Sequence, residues 1–280
     1  MRVLILFLLS FTLSFSQQVV KEYKIDTVSV YAHKYVLSEE VAVGKTNQPK
    51  WTLSRRFPVT RVYVQTQPGN IKYEQWIDLS IPNSSSSNSK MTLRQEFAFG
   101  LTERIQLDIY QNSEHIRSDN KSEYKSKGWS VEIRYAIADW DVIWGNPTLY
   151  FEYYLQNGLA DKIEPKLLLG GTLSSGWYWG ANLIYERELA SILNRSEQYS
   201  CTGSISKTLL DDRFLIGASI RPINKTIGDG TKLTTINELL LGPNAQLKFD
   251  KGFLNIEPLF GVTSDSRKLR MFVVFGYNFN

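Results

Sequence analysis

The stretch Ile71-Lys-Tyr-Glu-Gln-Trp-Ile-Asp-Leu-Ser-Ile81 decides the fold. Ile71, Tyr73, Ile77, Leu79 and Ile81 fall on one face, and Lys72, Glu74, Trp76, Asp78 and Ser80 on the other. A period of two is the signature of a β-strand with two unlike faces. The pattern returns at the far end of the chain, where Leu269, Met271, Val273, Phe275, Tyr277 and Phe279 alternate against Lys268, Arg270, Gly276 and Asn278. Between these two segments it predicts strands near 71–81, 90–100, 103–112, 128–138, 146–156, 161–170, 176–187, 197–207, 212–221, 236–249, 252–262 and 268–280, twelve in all.

Alternation alone does not say which face meets water, because a soluble sandwich points its apolar face inward and a membrane barrel points it at lipid. Three features favour the membrane. Almost every segment reaches the roughly ten residues that a tilted strand needs to cross a bilayer, against about five or six for ordinary strands. Tight connections at 100–103, 173–176 and 250–252 alternate with longer polar ones at 83–89, 113–127 and 222–235, although 139–145 and 157–160 fit that rhythm poorly. Phe97, Phe99, Tyr135, Trp177, Trp179, Phe249, Tyr277 and Phe279 all fall at one end of the apolar face, where amphipathic rings meet headgroups. The expected fold is therefore an all-β, antiparallel transmembrane β-barrel of about twelve strands over residues 70–280. Pro147, Pro165, Pro243 and Pro258 lie inside these segments and are expected at bulges or strand ends, since each removes a ladder donor.

Residues 1–16 read as an export signal, with Arg2, an apolar stretch from Val3 and Ser14-Phe15-Ser16 before Gln17. Beyond them no apolar run is long enough for a spanning helix, and the mean hydropathy is −0.24. The remaining chain carries 31 basic residues (32 less Arg2) and 28 acidic ones, a balance that calls for no nucleic acid. Cys201 is the single cysteine, so no internal disulfide forms, and with only His33 and His115 a dedicated transition-metal site is not expected. No cofactor is expected, and no lipobox cysteine follows the signal.

In a barrel of this kind the polar faces line the lumen. The candidate lining residues are Glu74, Asp78, Arg94, Glu96, Arg104, Asp108, Glu132, Arg134, Glu152, Lys162, Glu164, Lys166, Arg221, Glu238, Lys248, Glu257 and Arg270. Rows such as Arg94/Glu96, Arg104/Asp108, Glu132/Arg134 and Lys162/Glu164/Lys166 either shape a polar path for small solutes or bridge one another and fill the interior. Near-equal acids and bases argue against strong ion selectivity, which rests on a ring of one sign. His115, with Ser113 and Glu114, offers the one histidine for a hydrolase, but neighbours in a loop are not a positioned triad.

At Glu96-Phe-Ala-Phe-Gly-Leu-Thr-Glu-Arg-Ile-Gln-Leu-Asp108, Asn146-Pro-Thr-Leu-Tyr-Phe-Glu-Tyr-Tyr154, Lys166-Leu-Leu-Leu-Gly170 and Leu241-Gly-Pro-Asn244 the chain resembles outer-membrane barrels of the phenol-degradation meta-pathway and transporter family, over roughly residues 60–280. The resemblance implies passage of aromatic or other small molecules, outer-membrane lipid as surroundings and delivery by the barrel-assembly machinery. Its motifs are structural and carry no chemistry. Tyr277 and Phe279 supply the alternating aromatics of a barrel end, with Asn280 after them.

Residues 17–69 lack the strand period and read as a periplasmic extension. Within it Ile25-Asp-Thr-Val-Ser-Val-Tyr-Ala32 looks like the energy-coupling box of TonB-dependent receptors, but the 264 residues left after the signal (280 − 16) cannot hold a receptor's plug domain and double strand number. Ser54-Arg-Arg-Phe-Pro58 reads as a linker or as a piece tucked into the periplasmic mouth, with Trp51 and Phe57 available to pack. The function expected is a passive channel for small molecules. The alternatives are a structural or surface-interaction barrel without a pore and, more remotely, a hydrolase.

Overall fold

A computed structural model describes residues 48–280 apart from 84–87, 119–120, 175, 211–212 and 280, with the side chains of 118 and 121 also left out. The signal sequence, the stretch resembling an energy-coupling box and Asn280 lie outside the described residues. Twelve strands follow one another: β1 Ile71–Ile81, β2 Ser89–Gly100, β3 Ile105–Ser118, β4 Lys121–Ala136, β5 Thr148–Gln156, β6 Lys162–Ser174, β7 Trp177–Glu188, β8 Ser196–Leu209, β9 Phe214–Gly228, β10 Leu233–Phe249, β11 Gly252–Gly261 and β12 Leu269–Asn278. Each pairs antiparallel with its sequence neighbours, and β1 closes on β12 with Trp76 opposite Val274. Closure leaves no edge strand.

The faces are inverted relative to a soluble protein. Phe151, Leu183 and Ile256, which a water-soluble fold would bury together, are 42%, 54% and 43% exposed. Lys72, Glu74, Glu96, Asp108, Glu132 and Arg134 face inward and are fully buried. Among the described residues no helix is long and apolar enough to cross a membrane; the strands do so. Because Leu183 sits at the middle of β7 with Leu167 and Cys201 beside it, Leu183→Arg is expected to cost about 2–4 kcal/mol. Urea unfolding in lipid vesicles measures this.

Rings mark the end where β1 begins, here the turn end. Tyr73 packs on Phe97 at 5.2 Å, Trp144 on Trp179 at 5.5 Å and Phe249 on Phe275 at 6.1 Å. The opposite, loop end differs from expectation. The polar stretches at 113–127 and 222–235 are largely strand, since β3 pairs with β4 out to Ser118↔Lys121 and β9 with β10 out to Gly228↔Leu233. Both hairpins continue past the apolar band, where neither face needs to be apolar, so the period fades while the ladder runs on.

The prolines interrupt ladders without bulging them. β10 and β11 lose their pairing between Leu241↔Phe260 and Ala245↔Ile256, where Pro243 and Pro258 stand. β6 and β7 lose it around Pro165, and Pro147 lies just before β5. The register shifts instead at Asn112/Ser113 and Thr172/Ser174.

Candidate functional site

The turn half of the lumen is filled by residues 48–68. The segment begins with Gln48, whose amide donates to the Val64 carbonyl at 2.6 Å, so its entering and leaving arms lie side by side. A 3-10 turn, Lys50–Leu53, delivers Trp51 into an aromatic cluster with Trp140 and Tyr178, at 5.4 and 4.7 Å between ring centroids. The chain then climbs to Val59 and returns through Arg61 and Tyr63 to Pro68, which bridges to Gly100 at the wall.

The wall holds this loop mainly through its backbone. Gln246 and Asn255 donate to the Arg55 carbonyl at 2.5 and 2.6 Å. Asn182 clasps Arg61, accepting from its N–H at 2.8 Å and donating to its carbonyl at 2.7 Å. Gln106 accepts from the Gln65 and Thr66 N–H groups at 2.7 and 3.0 Å. Thr60 and Ser204 hydroxyls meet at 2.7 Å. An irregular segment has no ladder of its own, so buried amides and carbonyls need such partners. Room for it comes from the cross-strand glycine pair Gly170 and Gly180, where a Cβ would stand 2.5 and 2.8 Å from the Val62 side chain.

Charge completes the anchoring. Arg55 donates to Glu74 at 2.6 Å and reaches Glu96 at 3.3 Å, while its guanidinium lies 4.1 Å from the Trp76 ring centre. Arg61 reaches Glu96 at 3.4 Å, Glu132 at 3.7 Å and the Tyr110 hydroxyl at 2.8 Å. Tyr110 in turn donates to Glu132, and Arg134 ties Glu132 to Asp108, the latter at 2.8 Å. At the turn end the Tyr63 hydroxyl donates to the Ala138 carbonyl at 2.9 Å, and burial, helped by Asp139, pushes its pKa up to about 12. This explains the long connection at 137–147: it carries Trp140, buried against Trp51 and Tyr63, over the mouth that the loop enters.

Sixteen of the seventeen candidate lining positions lie within the strands; Arg104 is set in the turn before β3, half-exposed and 3.5 Å from Asp139. Lys248 is half-buried near the turn end of β10. Some of them pair across strands and some along the sequence rows. Arg94 pairs with Glu152 on β5, and Arg270 with Asp78 at 2.7 Å. Glu132/Arg134 and Lys162/Glu164/Lys166 do pair as the sequence rows suggest. His115 meets Ser122 at 2.6 Å across β3 and β4, while Glu114 is buried and bridged to Lys90 and Lys127. The charged candidates pass over Gln106 and Tyr110, which stand on the same face as Asp108, and Asn182, on the face of Glu186; Arg55 and Arg61 lie outside the alternating segments.

Above the loop an unfilled cavity of about 380 Å³ occupies the other half of the lumen. Val59 and Arg61 form its floor, Trp76, Arg94, Tyr154 and Phe272 its walls, and Lys90, Leu159 and Ser196 lie towards the loop end.

No family model matches the chain, the meta-pathway family included, and no curated protein matches it significantly. Among solved structures it is similar to an outer membrane channel from Pseudomonas putida F1, with 11% identity and a TM-score of 0.57 over 78% of this chain and 98% of that one. It also aligns with the translocator domain of the autotransporter NalP from Neisseria meningitidis, at 13% identity and a TM-score of 0.46 over 75% of this chain and 88% of that one. The KdgM porin aligns at 13% identity and 0.45 over 75% and 99%. At such identities the first of these establishes the shared fold alone, that of an outer-membrane β-barrel.

Proposed function

We propose that this barrel is a small-solute channel of the outer membrane that rests closed, with residues 48–68 as its own stopper. The observation that carries this reading is the division of the lumen into a filled turn half and an empty loop half meeting at Val59 and Arg61. The stopper is fastened by hydrogen bonds and ion pairs, whose partners water can replace, and by Trp51, Phe57, Val62, Tyr63 and Val64 packed with Ala136, Trp140 and Tyr178, which withdrawal exposes. That the similar Pseudomonas putida barrel is an outer membrane channel suits the same reading. The resemblance to meta-pathway barrels adds transport of aromatic or other hydrophobic solutes, and nothing finer.

On this reading residues 1–16 are removed on export, residues 17–69 are the periplasmic extension of the barrel's sequence, and the assembly machinery delivers the chain to outer-membrane lipid. The filled half-lumen also suits a structural or surface-interaction barrel with no passage. Planar-bilayer recordings of the intact protein and of a variant lacking residues 48–66 separate the two: a channel conducts once its stopper is gone, and a structural barrel stays silent in both forms.

A further inference from the structure

The walls of the empty half-lumen are unlike one another. On β2 to β6 the inward side chains form charged and hydroxyl-bearing chains, among them Arg94, Glu152, Tyr154 and Glu164. On β9 to β12 Ile223, Leu240, Leu259 and Phe272 pack as a buried apolar cluster, with Val59 of the stopper against it. A lumen filled with water gains nothing from such a cluster, since polar lining is the rule in these barrels.

Arg221 stands in the middle of this apolar wall. Its guanidinium lies 5.8 Å from the Phe272 ring centre, it is 7% exposed, and its Nε is buried with no hydrogen-bond partner. The cavity's other inner cations are answered: Arg94 by Glu152, Arg270 by Asp78, Lys162 by Glu186 at 2.8 Å and Lys166 by Glu164. Arg221 forms no ion pair among the described residues, and neither does Lys225, four residues further towards the loop end on the same face. Thr202 lies on β8 where the ladder to β9 is interrupted, between Ser200↔Ile223 and Gly203↔Ile220, and its buried hydroxyl is likewise unpartnered.

A buried guanidinium without a counter-charge is costly. We propose that Arg221 is the anchor of a binding site for small amphipathic carboxylates: the carboxylate accepts from Arg221 in place of the missing acid, and the apolar body lies along Ile223 and Phe272. Lys225 guides the anion inward from the loop end. A cavity of about 380 Å³ is of the size that small-molecule sites occupy. The site names the solute class of the proposed channel and in that respect rests on that reading, but occupancy needs no flux.

Isothermal titration of the full-length protein in detergent tests it, with benzoate as probe, benzyl alcohol as the same body without charge and acetate as the charge without the body. Benzoate is expected to bind saturably in the millimolar range or tighter, and both controls at least tenfold more weakly. Arg221→Gln is expected to weaken benzoate at least tenfold. Should that variant not fold, the more accessible Lys225→Glu is expected to weaken it severalfold. Benzyl alcohol binding as well as benzoate, no benzoate binding at all, or unchanged binding in a folded Arg221→Gln or Lys225→Glu overturns the site. If benzoate binds through Arg221 but the protein lacking residues 48–66 never conducts, the channel reading falls and the site stands; the opposite pair of results removes the site and leaves the channel.

Discussion

Deleting residues 48–66 is expected to turn a nearly silent barrel into a steadily conducting one. The loop is held by polar contacts at Gln246, Asn255, Asn182, Gln106 and Ser204 and by Arg55 and Arg61 among Glu74, Glu96 and Glu132. At a net of about 1 kcal/mol for each hydrogen bond, these sum to several kcal/mol, and about 2.7 kcal/mol already holds a two-state gate 99 to 1 in favour of closed. Deletion leaves the twelve-strand ladder intact and lets water reach carboxylates that had faced arginines, so the barrel is expected to keep folding. Single-channel recording then shows long-lived openings in place of rare ones, with the open probability raised at least tenfold. Equal conductance from the intact and shortened proteins would falsify the stopper.

The largest stability effect is expected at Glu96. Its carboxylate receives Arg55, Arg61 and the Trp76 indole N–H, the last at 2.9 Å, and all of these groups are buried. Glu96→Ala leaves two buried guanidinium groups short of counter-charge, a loss of about 3–5 kcal/mol when one partner of a buried pair is removed. The same change in the protein lacking residues 48–66 is expected to cost far less, because Arg55 and Arg61 have gone with the loop. Unfolding in urea for all four proteins gives the coupling directly. A cost that is the same with and without the loop contradicts the assigned partners.

Much of the barrel was legible in the sequence because inward and outward positions alternate locally. Ile71 to Ile81 declares its two faces without reference to any other strand, and the same holds at Leu269 to Asn278. Strand ends were less legible where a hairpin leaves the bilayer, as in β3 with β4 and β9 with β10. The partner of each inward charge was not legible either: Arg94 finds Glu152, 58 residues away, because closure and register bring β2 and β5 across the lumen from each other.

The stopper was the least visible part. Residues 48–68 have no period, and their burial depends on contacts 121 residues away at Asn182, 144 at Ser204 and 200 at Asn255. One of the two readings of Ser54 to Pro58, a piece tucked into the mouth with Trp51 and Phe57 to pack, did point to it, and both rings are buried. Gly170 and Gly180 occupy inward positions on neighbouring strands, and the space they leave is the space that Val62 takes.

Whether the loop occupies the lumen is tested most directly by a cross-link at its tip. With the half-buried Cys201 replaced by serine, Thr60→Cys and Ser204→Cys place two thiols where the present hydroxyls are 2.7 Å apart, within reach of disulfide geometry. On mild oxidation of the folded protein the two are expected to join almost completely and to resist a membrane-impermeant maleimide. Two thiols that stay unjoined and label freely while the barrel remains folded would show that the loop lies outside, and the account of a self-closed channel would be wrong.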